Sequence, residues 1–536
     1  MKNIPYKNIL YFFIWIWICN GVAFGQNLED RVIEKSFKNG LKVLMVERHQ
    51  NPTISFQVTY RVGSVNDQAG MTGAAHLYEH MAFKGTEQIG TSDFKKEKPV
   101  LDEIEQLYHQ IRVEGRQGGA IDTQRRNDLM GKWMGLQKAA KLWVVPNELT
   151  DIYSRQGAVG LNASTGRDTT SYTVSLPANR LPLWIAIESD RMAHTVLREF
   201  YKEKEVVLEE RRRSVETSPA GKLNEALLTT AFSAHPYRYP TLGWPSDVAF
   251  SSADETAAFF KTYYKPNNAI IVMVGDFSAS AVLPQLESSF GEMAAGSAIP
   301  VVTTVEPPQL GEKRVDVEDE ANSQLAIAFH RPGVDHPDDA AFDVIDMILS
   351  EGRTSRLYQK LVLEKKIATD VSSNSGTPGG RYSSLFTFYA TPLAPHTPLE
   401  LEEAIYGELE RLKSEPPTPD EMEKVRTAIE ADSVRALRSN AGLASQLGYI
   451  EAVAGSWRYI LKNRDAIRNM KAEDVVRVVT QYFIKTNRTV ATLVKKAAPA
   501  AMVTPPVGDV RPAGDARPAT SSPSSPTPAT VPGGLK

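Results

Sequence analysis

The chain has 536 residues, 42% of them hydrophobic and 23% charged, with a formal net charge of −3. That balance is ordinary for a globular protein and gives no basis for binding nucleic acid or an anionic membrane. The length is enough for several domain-sized units.

At the N-terminus, Lys2 and Lys7 precede the run "ILYFFIWIWI", and small residues follow as far as Gly25. This order of charged, apolar and small residues predicts a secretory signal over residues 1–25 and a periplasmic or secreted protein; an uncleaved anchor is the competing reading, and the apolar run is short for one. The only cysteine, Cys19, lies within it, so the exported chain would have neither disulfides nor a thiol nucleophile. No later segment is long and apolar enough to span a bilayer.

The segment "AAHLYEHMAF", 74–83, follows. On a helix, His76 and His80 lie one turn apart on the same face and can grip one ion, with Glu79 beside them. Two imidazoles and a carboxylate are a zinc set that leaves a position for water, whose proton a nearby carboxylate can accept. An ordinary pair of core or surface histidines is the alternative. The order HxxEH, the reverse of HExxH, is itself a metalloprotease signature.

From about 95 to 148 the chain is charged and helical in pattern. Val100, Leu101, Ile104, Leu107 and Ile111 form one stripe, and Leu129, Trp133, Leu136 and Ala140 another; the Gly-rich stretch 115–119 breaks them, predicting an inserted helical hairpin. "VGLNASTGRDTTSYTVSLP" then alternates, with Tyr172, Val174 and Leu176 on one face of a strand that ends at Pro177. In the helix expected over 198–214, Phe200, Glu203, Val207, Glu210 and Ser214 share a stripe. Two carboxylates there need donors or a cation, so Glu210 is the candidate third ligand and Glu203 the group that holds a histidine. The alternative is that both acids pair with Arg211, Arg212 or another basic group.

Three pairs of segments recur in the same order, predicting a duplication. "AHLYEHM" (75–81) lies on "SRLYQKL" (355–361), with Arg356, Gln359 and Lys360 in place of the metal-binding set. "EKEVVLEE" (203–210) lies on "EKVRTAIE" (423–430), and "YYKPNNAIIVMVGDF" from Tyr263 on "YFIKTNRTVATLVKK" from Tyr482. The first half has about 60 more residues between its first two motifs, in keeping with the insert. The organisation read from this is a catalytic half over 27–290, a Gly/Pro/Thr-rich linker over 291–313, an inactive homologous half over 314–497 and a disordered Pro/Ala/Ser/Thr-rich tail over 498–536.

"HLYEH" with "EKEVVLEE", "GLNAST" (160–165), "HPYRYPTLG" (235–243), "YYKPNNAIIVMVGDF" and "GRTSRLYQKL" resembles the inverted-zincin peptidases of family M16, the pitrilysin, insulinase and mitochondrial processing peptidase group. The resemblance implies an α+β fold: two similar halves, each an antiparallel sheet covered by helices (the LuxS/MPP-like metallohydrolase fold), facing each other around a chamber. It implies one zinc ion per chain on His76, His80 and Glu210, with Glu79 as general base and Glu203 as the second acid. The family also places extended substrate against positions matching Asn162 and Ala163, and an arginine and a tyrosine of the second half, for which Arg381 and Tyr389 are candidates. The expected function is an exported zinc endopeptidase acting on peptides or unfolded segments, as a homodimer or paired with a related subunit. The competing reading is a non-catalytic subunit that partners an active one. His235 is expected to be structural and His109 solvated.

Overall fold

The computed structural model describes residues 28–116, 123–436 and 438–496. The expected signal segment, 1–25, and the expected tail from 498 lie outside these residues.

Among the described residues, eleven strands form two sheets. The first contains β1 (Ile33–Ser36), β2 (Lys42–Glu47), β3 (Thr53–Tyr60), β4 (Val159–Thr165), β5 (Thr170–Pro177) and β6 (Ala269–Gly275), in the spatial order β1-β2-β6-β3-β5-β4. The second contains β7 (Lys313–Asp319), β8 (Gln324–Arg331), β9 (Ala368–Thr377), β10 (Ser384–Pro392) and β11 (Arg488–Lys495), in the order β7-β11-β8-β10-β9. Without the edge strand β1, the two orders are the same sequence of positions, so the duplication is visible in the topology. Both sheets are mainly antiparallel, and each has one parallel pair, β2 with β6 and β7 with β11.

The helices used below are α1 (Ala74–Met81), α2 (Phe94–Arg116), α3 (Thr123–Ala140), α4 (Leu181–His194), α5 (Phe200–Arg211), α6 (Pro219–Ala231), α7 (Ala253–Tyr263), α8 (Asp339–Ser350), α9 (Pro398–Ser414), α10 (Pro419–Ala436), α11 (Asn440–Ala454) and α12 (Ala472–Tyr482). Helices α2 and α3 stand where the helical hairpin is expected and lie against one another, with Ile104 and Ala140 buried.

Strand β6, "AIIVMVG", is buried along its whole length and apolar without alternation, as a strand covered on both faces must be. One face, with Val43, Met45, Phe56 and Ile271, packs on the first half's own helices, including Trp184 of α4 and Val207 of α5. The other face is covered by the second half. Leu443, Ala444 and Leu447 of α11 pack on Leu44, Val46, Ile270 and Val272. The exchange is reciprocal: Leu223, Leu227 and Leu228 of α6 pack on Ala326, Ala328 and Leu493 of the second sheet. Each fully buried leucine here contributes about 1.5–3 kcal/mol. Gly448 lets α11 settle on β3, since a Cβ there would stand 2.9 Å from Thr59 Oγ1.

The topology corrects one pairing read from the sequence. "SRLYQKL" runs into a short π-type stretch, Tyr358–Glu364, that leads directly to β9, the place held before β4 by the short helix Glu148–Arg155. The counterpart of α1 is α8, which packs on β9, α10 and α12 as α1 packs on β4, α5 and α7. Seven residues sharing a Leu-Tyr dipeptide were too few to fix the register between halves. Helix α8, "DAAFDVIDMILS", carries aspartates rather than the expected Arg, Gln and Lys, but it has no histidine and so lacks the imidazole pair of α1.

Candidate metal centre

Helix α1 starts at Gly73, whose φ of 87° is open to glycine and strained for other residues. The carboxylate of Asp67 accepts the N–H groups of Gly73 (2.7 Å) and Ala75 (3.1 Å), satisfying orphan donors at the helix start. Seven of the eight α1 residues are buried, so His76 and His80 are fixed by packing on both sides.

The structure brings His76, His80 and Glu210 together, with one donor atom of each within 4.8 Å of the others. His76 Nε2 lies 3.8 Å and His80 Nε2 3.4 Å from Glu210 Oε2. Tetrahedral zinc with ligands at about 2.0–2.2 Å sets its donors about 3.3–3.5 Å apart, so this set fits the ion with small closing movements. Glu203 Oε1 lies 3.1 Å from His80 Nδ1, and its other oxygen pairs with Lys84 Nζ at 2.6 Å. This carboxylate behind a ligating ring is the arrangement that fixes imidazole orientation. His76 Nδ1 is buried without such a partner.

The arginine alternative fails on geometry. Arg211 turns inward to Glu225, with two bonds of 2.9 Å, and Arg212 pairs with Glu209. Glu210 is thus left to the histidines, whereas Glu203 is shared between His80 and the basic group of Lys84.

Burial, reinforced by the neighbouring His80, lowers the His76 pKa and keeps that ring neutral. Burial also acts to lower His80, but its bonds to Glu203 and Glu210 outweigh this and raise it to about 9. For Glu203, desolvation is outweighed by His80 and Lys84, and its carboxyl falls to about 2. Burial raises Glu79, opposed by a hydrogen bond from Thr165 Oγ1 at 2.6 Å.

Glu79 and His80 face a cleft of about 430 Å³ lined also by Phe83, Asn162 and Ala163 and by the segment 144–148. Its lining residues all come from the first half. Asn162 and Ala163 belong to β4, the edge strand of the first sheet, with Asn162 exposed. Arg381 and Tyr389 are not in the cleft lining. Arg381 donates to the carbonyls of Asp168 (3.0 Å) and Ala452 (3.1 Å), and Tyr389 donates to Asn224 at 3.0 Å, so both tie the halves together. His235 is structural as expected, accepting the Tyr237 N–H at 3.2 Å. His109 is exposed as expected, with its Nε2 3.3 Å from Glu105 and 3.2 Å from Asp254.

Three contributors were missed in the sequence. Thr165 closes the "GLNAST" motif and could have been found by its alternation toward α1. Lys84 follows His80 by four residues, a helical spacing. Arg198 is 1% exposed and pairs with the equally buried Glu97 at 2.9 Å; no local pattern announces it.

Two pseudo-symmetric α/β halves, one bearing an inverted HxxEH helix and a distal glutamate, carry the signature of the inverzincin class. The family described as "Insulinase (Peptidase family M16)" matches residues 42–98 and 144–244, and "Peptidase M16 inactive domain" matches 252–429. The chain belongs to peptidase family M16. The first match is interrupted over 99–143, the stretch that holds most of α2 and all of α3. The chain is 27% identical to zinc protease PqqE of Helicobacter pylori over 498 residues, covering 91% of this chain and 99% of that one. It is also similar to the crystal structure of a protease from Helicobacter pylori (TM-score 0.72, 26% identity, 86% of this chain and 99% of that one). A fold likeness extends to the first half of the periplasmic protease PqqL from Escherichia coli (TM-score 0.65, 15% identity, 87% and 92%). Among the described residues no helix is long and apolar enough to cross a membrane.

Proposed function

We propose that this protein is a zinc-dependent endopeptidase that cleaves peptides or unfolded polypeptide segments. The observation that carries the reading is the convergence of His76, His80 and Glu210 beside Glu79 at the mouth of a cleft bordered by an edge strand. Zinc held there supplies Lewis acidity toward water and the scissile carbonyl. The chain's own residues do the rest. Glu203 orients His80, Thr165 holds one oxygen of Glu79, and Glu79 accepts the proton of the attacking water and returns it to the leaving amine.

The outer side of β4 supports binding of extended substrate by strand addition at Asn162 and Ala163, with backbone bonds that tolerate many sequences. The names of the relatives and the donor set support one zinc ion per chain. We further infer export to the periplasm or beyond, from the charged and apolar order of residues 1–25, and pairing with a second copy or a related subunit. Cell fractionation and light scattering test these two points.

The decisive experiment uses Glu79→Gln. The variant should bind zinc stoichiometrically and lose peptide cleavage by at least about a hundredfold. Cleavage at the wild-type rate in that variant overturns the mechanism. Absence of cleavage of a mixed peptide pool by zinc-loaded wild type would favour the non-catalytic subunit instead.

A further inference from the structure

A second cavity, of about 410 Å³, lies between the helical insert and the first half. It shares Val144, Arg198, Glu199 and Lys202 with the cleft beside the histidines, so the two depressions adjoin along one border. Their chemistry differs. Glu79, His80, Lys84, Glu148 and Glu203 face the cleft, whereas Phe94, Leu101, Ile104, Leu197 and Phe200 form an apolar wall in the second cavity. Phe94, Leu101 and Leu197 are half-buried, which leaves this wall accessible.

We propose that this cavity is a specificity site for the same peptide substrate, taking an apolar side chain several residues from the scissile bond. The inference rests on the peptidase reading above. Continuity with the cleft names the occupant: a chain bound along β4 that passes Val144 and Glu199 arrives over the apolar wall.

The distance follows from α5. Glu210 and Phe200 are ten residues apart on that helix, about 15 Å at 1.5 Å per residue. An extended peptide covers this in four or five residues at about 3.3 Å each. The spacing is held by Arg198, whose guanidinium binds Glu97 in the first turns of α2 and donates to the carbonyls of Lys84 (2.7 Å) and Thr86 (2.7 Å), just beyond the histidine helix. The insert therefore acts as a ruler between the scissile bond and the apolar anchor.

The test moves a single leucine, one position at a time, along otherwise polar peptides of a dozen residues with one cleavable bond. KM should fall about tenfold or more when the leucine stands four or five residues from that bond on one side, with kcat little changed, as burial of one such side chain implies. Fluorescence anisotropy of the same peptides on the Glu79→Gln protein reads the preference without turnover, so a failure of catalysis leaves this site measurable. The Leu101→Glu variant, checked for a native melting curve, should lose the preference. Position-independent binding and cleavage by the wild-type protein overturns the proposal without touching the catalytic reading, as does a preference that survives in folded Leu101→Glu.

Discussion

Glu451 of α11 receives the ammonium of Lys42 from β2 at 2.7 Å, with none of the Glu451 side chain in contact with solvent. The same carboxylate accepts the N–H of Trp457 at 2.8 Å and lies 3.4 Å from Arg61. A charge so deep is tolerated only because the sheet beneath supplies cations and the chain behind it an amide.

Removing that carboxylate should be costly. Glu451→Ala leaves Lys42 partly buried and opens a gap under α11, so urea denaturation should show a loss of about 3 kcal/mol. A loss below about 1 kcal/mol would mean that the junction is held by leucine packing alone.

Glu34 makes the same junction sensitive to acid. Its burial is outweighed by Lys42, Arg458 and Trp457, and its carboxyl falls from 4.5 to about 2. A depressed carboxylate contributes fully above its unfolded value and loses that contribution as pH falls through the folded one. The melting temperature of wild type should therefore exceed that of Glu34→Gln at pH 6, and the difference should shrink progressively from pH 4.5 toward pH 2. A constant gap over that range would assign the effect to shape.

Zinc should raise the thermal midpoint of wild type in proportion to the logarithm of its free concentration. Glu203→Gln keeps all three donors but loses the charge behind His80, and should weaken zinc binding ten- to a hundredfold in a chelator competition. Glu210→Gln should weaken it more. Equal affinities for Glu203→Gln and wild type would make Glu203 a partner of Lys84 only.

Gly73→Ala tests the helix start. A Cβ there stands 3.0 Å from both Gly243 Cα and the Leu242 carbonyl oxygen, at a φ of 87°. The left-handed backbone alone costs about 1–2 kcal/mol, and the displaced first turn carries His76 with it. Both the melting temperature and zinc affinity should drop; a drop in melting temperature alone would show that α1 re-forms with its histidines in place.

The candidate metal set was legible as a convergence of side chains because its parts are local. His76, Glu79 and His80 share one turn, and Glu203 and Glu210 share one stripe at helical spacing. The alternation of Tyr172, Val174 and Leu176 was equally readable, and all three are buried in β5. What failed was non-local. No periodicity indicates that α11 covers the sheet of the other half, because an apolar stripe is silent about which sheet it will meet. The same silence let "SRLYQKL" stand in for α8. Arg381 was no more than a candidate substrate contact from a family expectation, and its guanidinium donates to the backbone carbonyls of Asp168 and Ala452.

The crossed helices also set an order of events during synthesis. When β6 has left the ribosome at Gly275, one face of the first sheet still has no cover, since α11 begins only at Asn440. Domains commonly fold in turn as they emerge. Here Leu44, Val46, Ile270 and Val272 must wait for a helix made much later, while α6 waits for strands not yet translated. The half that bears the HxxEH helix is thus completed only by a helix of the other half, and the reverse holds for the second sheet.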